Sequence, residues 1–399
     1  MSETFDVVIA GGAVTGSSLA WHLASHPGFA GRVLVIEPDM TYQRSASALS
    51  AGSIRQQFSQ GVNIAISLYG IRFLRAIGET LAVGDERPDI GLREGGYLYL
   101  GGEDARASFA AGNALQRAQG ADIALLTPEA LAARFPYLAT GDLAIGSYGV
   151  SGEGWFDGYG LMQAFRRAAR AKGVAYRQCR VTGFERAGRR ITAILLEDGT
   201  RIGCGHAVNA AGASGARALC AAAGFPVPVY AKKRSVFTFT ARGAFPAHPL
   251  IIDTTGIWWR PEGHGAAEQA FIAGYSPDEP EESDHAADFE VDWPLFEEVI
   301  WPALANRIPA FETIRPGRAW AGHYDMNLLD HNAIVGRLGD LDNAYLACGF
   351  SGHGLQQAPA IGRGLAELIV EGRYASLDLA DLGFERIAAR RPLREHNVI

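Results

Sequence analysis

The segment that most restricts the fold opens the chain. Phe5-Asp6-Val7-Val8-Ile9-Ala10 is a short β-branched run, Gly11-Gly12-Ala13-Val14-Thr15-Gly16 follows it, and helical spacing begins at Ser17. A strand that enters a helix through glycines leaves the unpaired N–H groups of the helix N-terminus facing whatever lies above the turn, which suits a pyrophosphate. Gly11 permits the tight turn, and Gly16 lets helix and strand pack closely. A second apolar run, Val33-Leu34-Val35-Ile36, ends in Glu37, about 20 positions beyond the turn, where an acid accepts hydrogen bonds from ribose hydroxyls. The middle glycine of the usual pattern is Ala13, which puts one methyl near the phosphates. Together these segments predict a Rossmann-type dinucleotide unit, and such a fingerprint does not separate FAD from NAD.

A chain of 399 residues, 48% hydrophobic and 20% charged, can bury a full core and is long enough for two bodies. The formal charge of −7 argues against a nucleic-acid surface, which needs clustered excess Lys and Arg. Cys179, Cys204, Cys220 and Cys348 show no CxxC spacing, so neither a metal site nor a disulfide framework is expected. Met1 to Asp6 is too short and polar for a leader, and nothing approaches the roughly 18 to 20 apolar residues of a membrane span. The expectation is a cytoplasmic protein.

Beyond Glu37 lies a polar stretch of small residues, Ser45 to Phe58, suited to backbone lying against a planar ligand or to a plain surface loop. Helices are predicted over 63–77, 130–134, 161–171, 294–305 and 355–371. Strands are predicted over 95–100, 174–185, 191–196 and 200–202, with a turn at Asp198-Gly199. Ala207-Val208-Asn209-Ala210-Ala211-Gly212 reads as a buried strand that stops at small residues and so can pass beneath a nucleotide. A period-two region from Val227 to Trp320 predicts an antiparallel sheet with helical cover. Within it, a hairpin-like turn over Gly256–Gly265 carries Trp258 and Trp259, and an acidic loop covers Asp278–Asp288. Ser351-Gly352-His353-Gly354 then delivers a late helix N-terminus able to stabilise negative charge on a reduced flavin.

These segments resemble the D-amino-acid oxidase superfamily, in the branch of sarcosine oxidase, glycine oxidase and dimethylglycine dehydrogenase. The likeness runs the whole length. It is carried by Leu49-Ser50-Ala51-Gly52-Ser53-Ile54-Arg55-Gln56-Gln57-Phe58, Ile308-Pro309-Ala310-Phe311, Trp320-Ala321-Gly322-His323-Tyr324-Asp325 and Gly349-Phe350-Ser351-Gly352-His353-Gly354-Leu355-Gln356-Gln357. Within the branch it is nearest to the FAD-dependent oxidoreductases linked to mitochondrial complex I assembly. The resemblance implies an α/β Rossmann-type FAD-binding domain (1–80, 151–222 and 330–399). A second, α+β substrate-binding domain is implied on an antiparallel sheet (81–150 and 223–329).

It also implies hydride transfer from the carbon beside nitrogen to flavin N5, on a small amino acid or N-substituted glycine such as sarcosine or iminodiacetate, with the flavin reoxidised by oxygen or another acceptor. A D-amino-acid dehydrogenase and a flavin-binding assembly protein are the other readings. Arg55 stands where the branch is expected to grip a substrate carboxylate, or else forms a structural ion pair. Arg234 and Tyr324 look like pocket residues, while His353 and Gln356 sit beside the flavin, Gln356 replacing a lysine. Trp258 and Trp259 would wall the pocket or pack in the sheet, and His323 is expected to be structural.

The implied cofactor contacts are Gly11, Gly12, Ala13, Val14, Thr15, Gly16, Glu37, Pro38, Ser45, Ser50, Ala51, Gly52, Ile54, Arg55, Val181, Ala211, Gly212, Gly322, Ser351, Gly352, His353, Gly354, Leu355 and Gln356. Gly322 replaces the cysteine that tethers FAD in sarcosine oxidases, so FAD should be non-covalent. Ile272 replaces the lysine that speeds their reaction with oxygen.

Overall fold

The computed structural model describes residues 3–263, 268–276, 280 and 282–397. Strand β1 (Thr4–Ala10) pairs in parallel with β2 (Val33–Glu37) on one side, and on the other with the strand Arg201–Asn209, here β6. Because β1 and β2 are buried on both faces over most of their length, they are nearly continuous apolar runs, as a covered parallel sheet requires. The sheet continues outward to β5 (Ala175–Gln178) beyond β2, and to β11 (Ala344–Cys348) and Ile334–Arg337 beyond β6.

Helix α1 (Val14–Ser25) and the late helix α3 (Gly354–Glu371) lie together on one face of this sheet, where Ile9, Leu19, Val35, Ile361 and Leu365 share a core. The other face packs on α2 (Gly212–Ala222) and the hairpin of Val181–Ala187 with Arg190–Leu196. The strand expected over 174–185 is therefore two strands, broken at Cys179 and Arg180, because the chain leaves the parallel edge beside β2 to start the antiparallel hairpin. The strand expected at 200–202 runs on to Asn209, since pairing with β1 carries it inward.

A second sheet, antiparallel in most of its pairs, takes β3 (Tyr97–Gly101), β4 (Ile145–Gly149), β7 (Val229–Ala241), β8 (Trp258–Glu262), β9 (Gln269–Gly274) and β10 (Arg315–Asn327), together with Leu250–Ile252 and Ile123–Leu126. One face carries Phe237, Phe239, Trp259 and Phe271 against Phe296, Ile300, Leu304 and Phe311 of the helical cover. The opposite face presents Tyr97, Val236, Ile252, Trp258 and Ile272. The two tryptophans lie within β8 rather than in a turn; the turn precedes them, closed by Gly256 N–H donating to Asp253 O at 2.9 Å. Residues 264 and 265 of the expected hairpin turn, and 278, 279 and 281 of the acidic stretch, lie outside the described residues.

Candidate active site

Between the two sheets lies a cavity of about 600 Å³. At one end its wall is the first turn of α1, formed by Gly11, Ala13, Val14 and Thr15, with Glu37 and Pro38 alongside. Gly11 has φ +99°, and a Cβ on Gly16 would sit 1.9 Å from Gly11 O, so both positions of the turn admit only glycine. Ala13, the N-cap residue of α1, supplies no side-chain cap. Ser47 Oγ takes the Val14 amide at 3.2 Å, and the turn with Thr15 meets the cavity as an anion site.

Glu37 fixes the turn from below, accepting from Gly12 N–H at 2.8 Å and Asp39 N–H at 3.1 Å. Burial raises its pKa, with those two amides working against the shift. Ser45, Ser50 and Ala51 line the same wall, as do Ala211 and Gly212 at the end of β6. The small residues let backbone approach a flat ligand.

At the far end the cavity meets Gly322 and Tyr324 of β10, Arg234 of β7, Trp258 of β8, and Gly352, Gly354 and Leu355 at the start of α3. Arg234 lies mid-strand, paired with Gly322, and its guanidinium carbon is 5.5 Å from the Tyr324 ring centroid. Burial raises the Tyr324 pKa, opposed by the charges of Arg234 and Arg55.

Several expected contacts lie elsewhere. Trp259, next to Trp258 on a strand of period two, points into the opposite layer and donates to His248 Nε2 at 3.1 Å, so it does not wall the pocket. Gly12, Gly16, Gly52, Ile54, Val181 and Ser351 stand one layer behind the lining, and at 180–181 it is Arg180 that reaches the cavity. Arg55, His353 and Gln356 form a buried group of their own, described below. His323 lines the cavity with its neighbour Tyr324, although it also bonds Asp288 O at 2.8 Å and packs on Phe289.

Two carboxyls escaped the sequence reading. Asp325 lines the cavity and accepts from Gly349 N–H at 2.7 Å, which braces the turn leading to Gly352. Burial lifts its pKa to about 6 against the pull of the Phe350 and Gly349 amides. Glu153 is fully buried and accepts from the Gln56 and Gln57 amides and from Gln57 Nε2 at 2.7 Å.

Burial lifts the Glu153 pKa from 4.5 to about 7. A carboxyl raised on folding stabilises fully below its unfolded pKa, and the contribution disappears as pH climbs through the folded value. Glu153→Gln should therefore be less destabilising at pH ~8 than at pH ~5 by about 1–3 kcal/mol, on top of a pH-independent cost for the acceptor lost among its N–H partners. Urea unfolding at the two pH values checks this; equal effects at both would remove it.

Among the described residues there is no group of three or more His, Cys, Asp or Glu placed to hold a metal ion, and no helix long and apolar enough to cross a membrane.

The profile of a family described as FAD dependent oxidoreductase matches residues 6–368. The chain belongs to that family. This FAD-dependent oxidoreductase is 40% identical to the FAD-dependent oxidoreductase domain-containing protein 1 of Xenopus laevis over 432 aligned positions, covering 100% of this chain and 85% of the frog protein. It is 26% identical to the sarcosine oxidase subunit beta of an Arthrobacter species, over 99% of this chain and 94% of that one. Among solved structures it superposes on L-proline dehydrogenase from P. horikoshii with a TM-score of 0.82 and 25% identity, over 99% of this chain and all of the other.

The cavity fits the family's cofactor. The N-terminus of α1 suits the pyrophosphate, Glu37 suits a ribose, and small residues line the path to α3. None of the four cysteines lines the cavity, and Gly322 faces it, so no cysteine tethers FAD there.

Proposed function

We propose that this flavoenzyme oxidises the C–N bond of a small amino acid or N-substituted glycine to an imine that water hydrolyses. Bound FAD supplies the hydride acceptor. The observation that carries the reading is the single cavity that joins the nucleotide end at Glu37 to a cation and a phenol, Arg234 and Tyr324, beneath the apolar layer of Trp258 and Val236.

Arg234, whose Nη1 donates to Lys233 O at 2.8 Å, supplies the positive charge that a substrate carboxylate pairs with, and the Tyr324 hydroxyl lies beside it as a donor. Trp258, Val236 and Tyr275 exclude water from the reacting carbon. A dry wall next to a guanidinium disfavours the ammonium form of the substrate, so the amine enters as the free base and no side chain has to remove a proton from carbon.

Ile272 lies in the same apolar layer and is itself uncharged, and the electron acceptor is oxygen or another partner. The nucleotide is assigned to 1–80, 151–222 and 330–399, and the substrate roof to 81–150 and 223–329. The place of work is assigned to the cytoplasm.

The test is anaerobic mixing with sarcosine, iminodiacetate, proline and the D- and L-forms of common amino acids. At least one bleaches the flavin, at a rate that rises with pH as the free amine is populated. Bleaching by none of them, or a rate flat from acid to alkaline pH, counts against the proposal.

A further inference from the structure

Arg55 is 2% exposed and does not line the cavity. Its guanidinium is enclosed by protein: Nη1 donates to Gln57 O at 2.8 Å, and Nη2 donates to His353 Nε2 at 2.9 Å and to Asn397 O. The carbon of the guanidinium lies 4.0 Å from the Phe58 ring centroid, and the His353 ring stands edge-on to the same Phe58. A guanidinium can only donate, so His353 Nε2 must accept and the imidazole is neutral. Burial, then the charge of Arg55, holds the His353 pKa well below its ordinary value.

His353 is the N-cap residue of α3. Its neighbours Gly352, Gly354 and Leu355 form part of the cavity wall. The backbone of the same arginine is tied to that helix a second time, since Arg55 N–H donates to Gln356 Oε1 at 2.8 Å. The segment 55–57 is itself fixed from behind. Glu153 takes the Gln56 and Gln57 amides, and the Gln57 side chain spans Tyr97 O and Ser147 Oγ.

From the far side, Asn397 Nδ2 donates to Gln57 O at 3.0 Å, and Glu395 takes the Ser59 amide at 2.8 Å and the Asn63 amide group at 2.9 Å. Every contact of the Arg55 fork thus serves to hold a positive charge immediately behind the N-terminus of α3.

We propose that Arg55 is a positioning residue for the flavin and not the clamp for the substrate carboxylate: held by His353, Gln57 and the 395–397 segment, it anchors the start of α3 and adds a fixed positive charge to the positive end of that helix. A helix N-terminus already favours negative charge at the atoms it faces, and a buried cation behind it strengthens that field without touching the ligand. The inference rests on the proposed carboxylate site at Arg234 only for its comparison.

Sulfite and small carboxylates separate the two roles. Sulfite binds oxidised flavin with an affinity that follows positive charge around the ring, whereas acetate, propionate and benzoate report the carboxylate site through the visible spectrum. With FAD content measured first, Arg55→Gln should weaken sulfite about tenfold and leave carboxylate dissociation constants within about threefold. Arg55→Lys, which keeps the charge without the fork, should leave both within about threefold. Arg234→Gln, which removes a charge lining the cavity, should weaken the carboxylates about tenfold or more and sulfite by less.

Should Arg55→Gln fail to retain FAD, Arg55→Lys decides, because a clamp would lose carboxylate affinity about tenfold when its fork is lost. Loss of carboxylate binding in either Arg55 variant, or unchanged sulfite affinity in Arg55→Gln, overturns the proposal. If Arg234→Gln alone leaves the carboxylates untouched, the proposed substrate site fails while the role of Arg55 stands.

Discussion

Gly16→Ala is expected to give a chain that no longer retains FAD. A Cβ at this position would lie 1.9 Å from Gly11 O, a backbone atom that cannot rotate away, so α1 must lift off β1 or the turn must open. Either movement displaces the first turn where it meets the cavity, and with it the donors for a pyrophosphate. Forcing a methyl into a closed backbone contact costs about 3 kcal/mol, which corresponds to roughly a hundredfold loss in FAD affinity when the strained geometry is the binding geometry. Equilibrium dialysis of FAD against wild type and variant measures it. Unchanged affinity would mean that the turn is not the phosphate cradle.

Arg234→Gln is the second large effect, and it should fall on substrate rather than on cofactor. Arg234 lines the cavity beside Tyr324 at the end remote from Glu37. Replacing a charged, forked donor by a neutral amide in a dry site removes about 2–4 kcal/mol of carboxylate binding. The expected result is a kcat/KM lower by about thirty- to several-hundredfold, mostly in KM, with FAD content unchanged. A loss confined to kcat, or none, would place the carboxylate elsewhere.

The nucleotide half of the molecule was legible because its information is local. Strand, glycine turn, helix and acid follow one another within forty residues, and each has a physical reason to be where it is. The same holds for the late Ser351–Gly354 turn and α3, whose pattern predicts a helix that begins at Gly354 in the structure. Strands of the second sheet were legible as a period-two region but not in their ends. Trp258 and Trp259 were read into a turn because glycines flank them on both sides, and only pairing with Ile251 and Ile252 shows that they are a strand with opposite faces.

What could not be read were the partners of side chains. Arg55 looks alike in sequence whether it faces a ligand or a wall, and its orientation is decided by His353 and Asn397, 298 and 342 positions away. Glu153 sits in a short stretch of glycines and serines with no periodic signal, and only its burial beneath the Gln56 and Gln57 amides gives it a role. Asp325 follows Tyr324 directly in the sequence, yet its bond to Gly349 depends on β10 passing beneath the turn that leads into α3.

One spectrum tests the account most directly. The purified chain should be yellow, with the two visible bands of oxidised flavin and one FAD per polypeptide, and heating should release all of the colour into the supernatant as free FAD. A colourless chain that takes up no FAD would contradict it, and colour left on the precipitated polypeptide would contradict non-covalent binding.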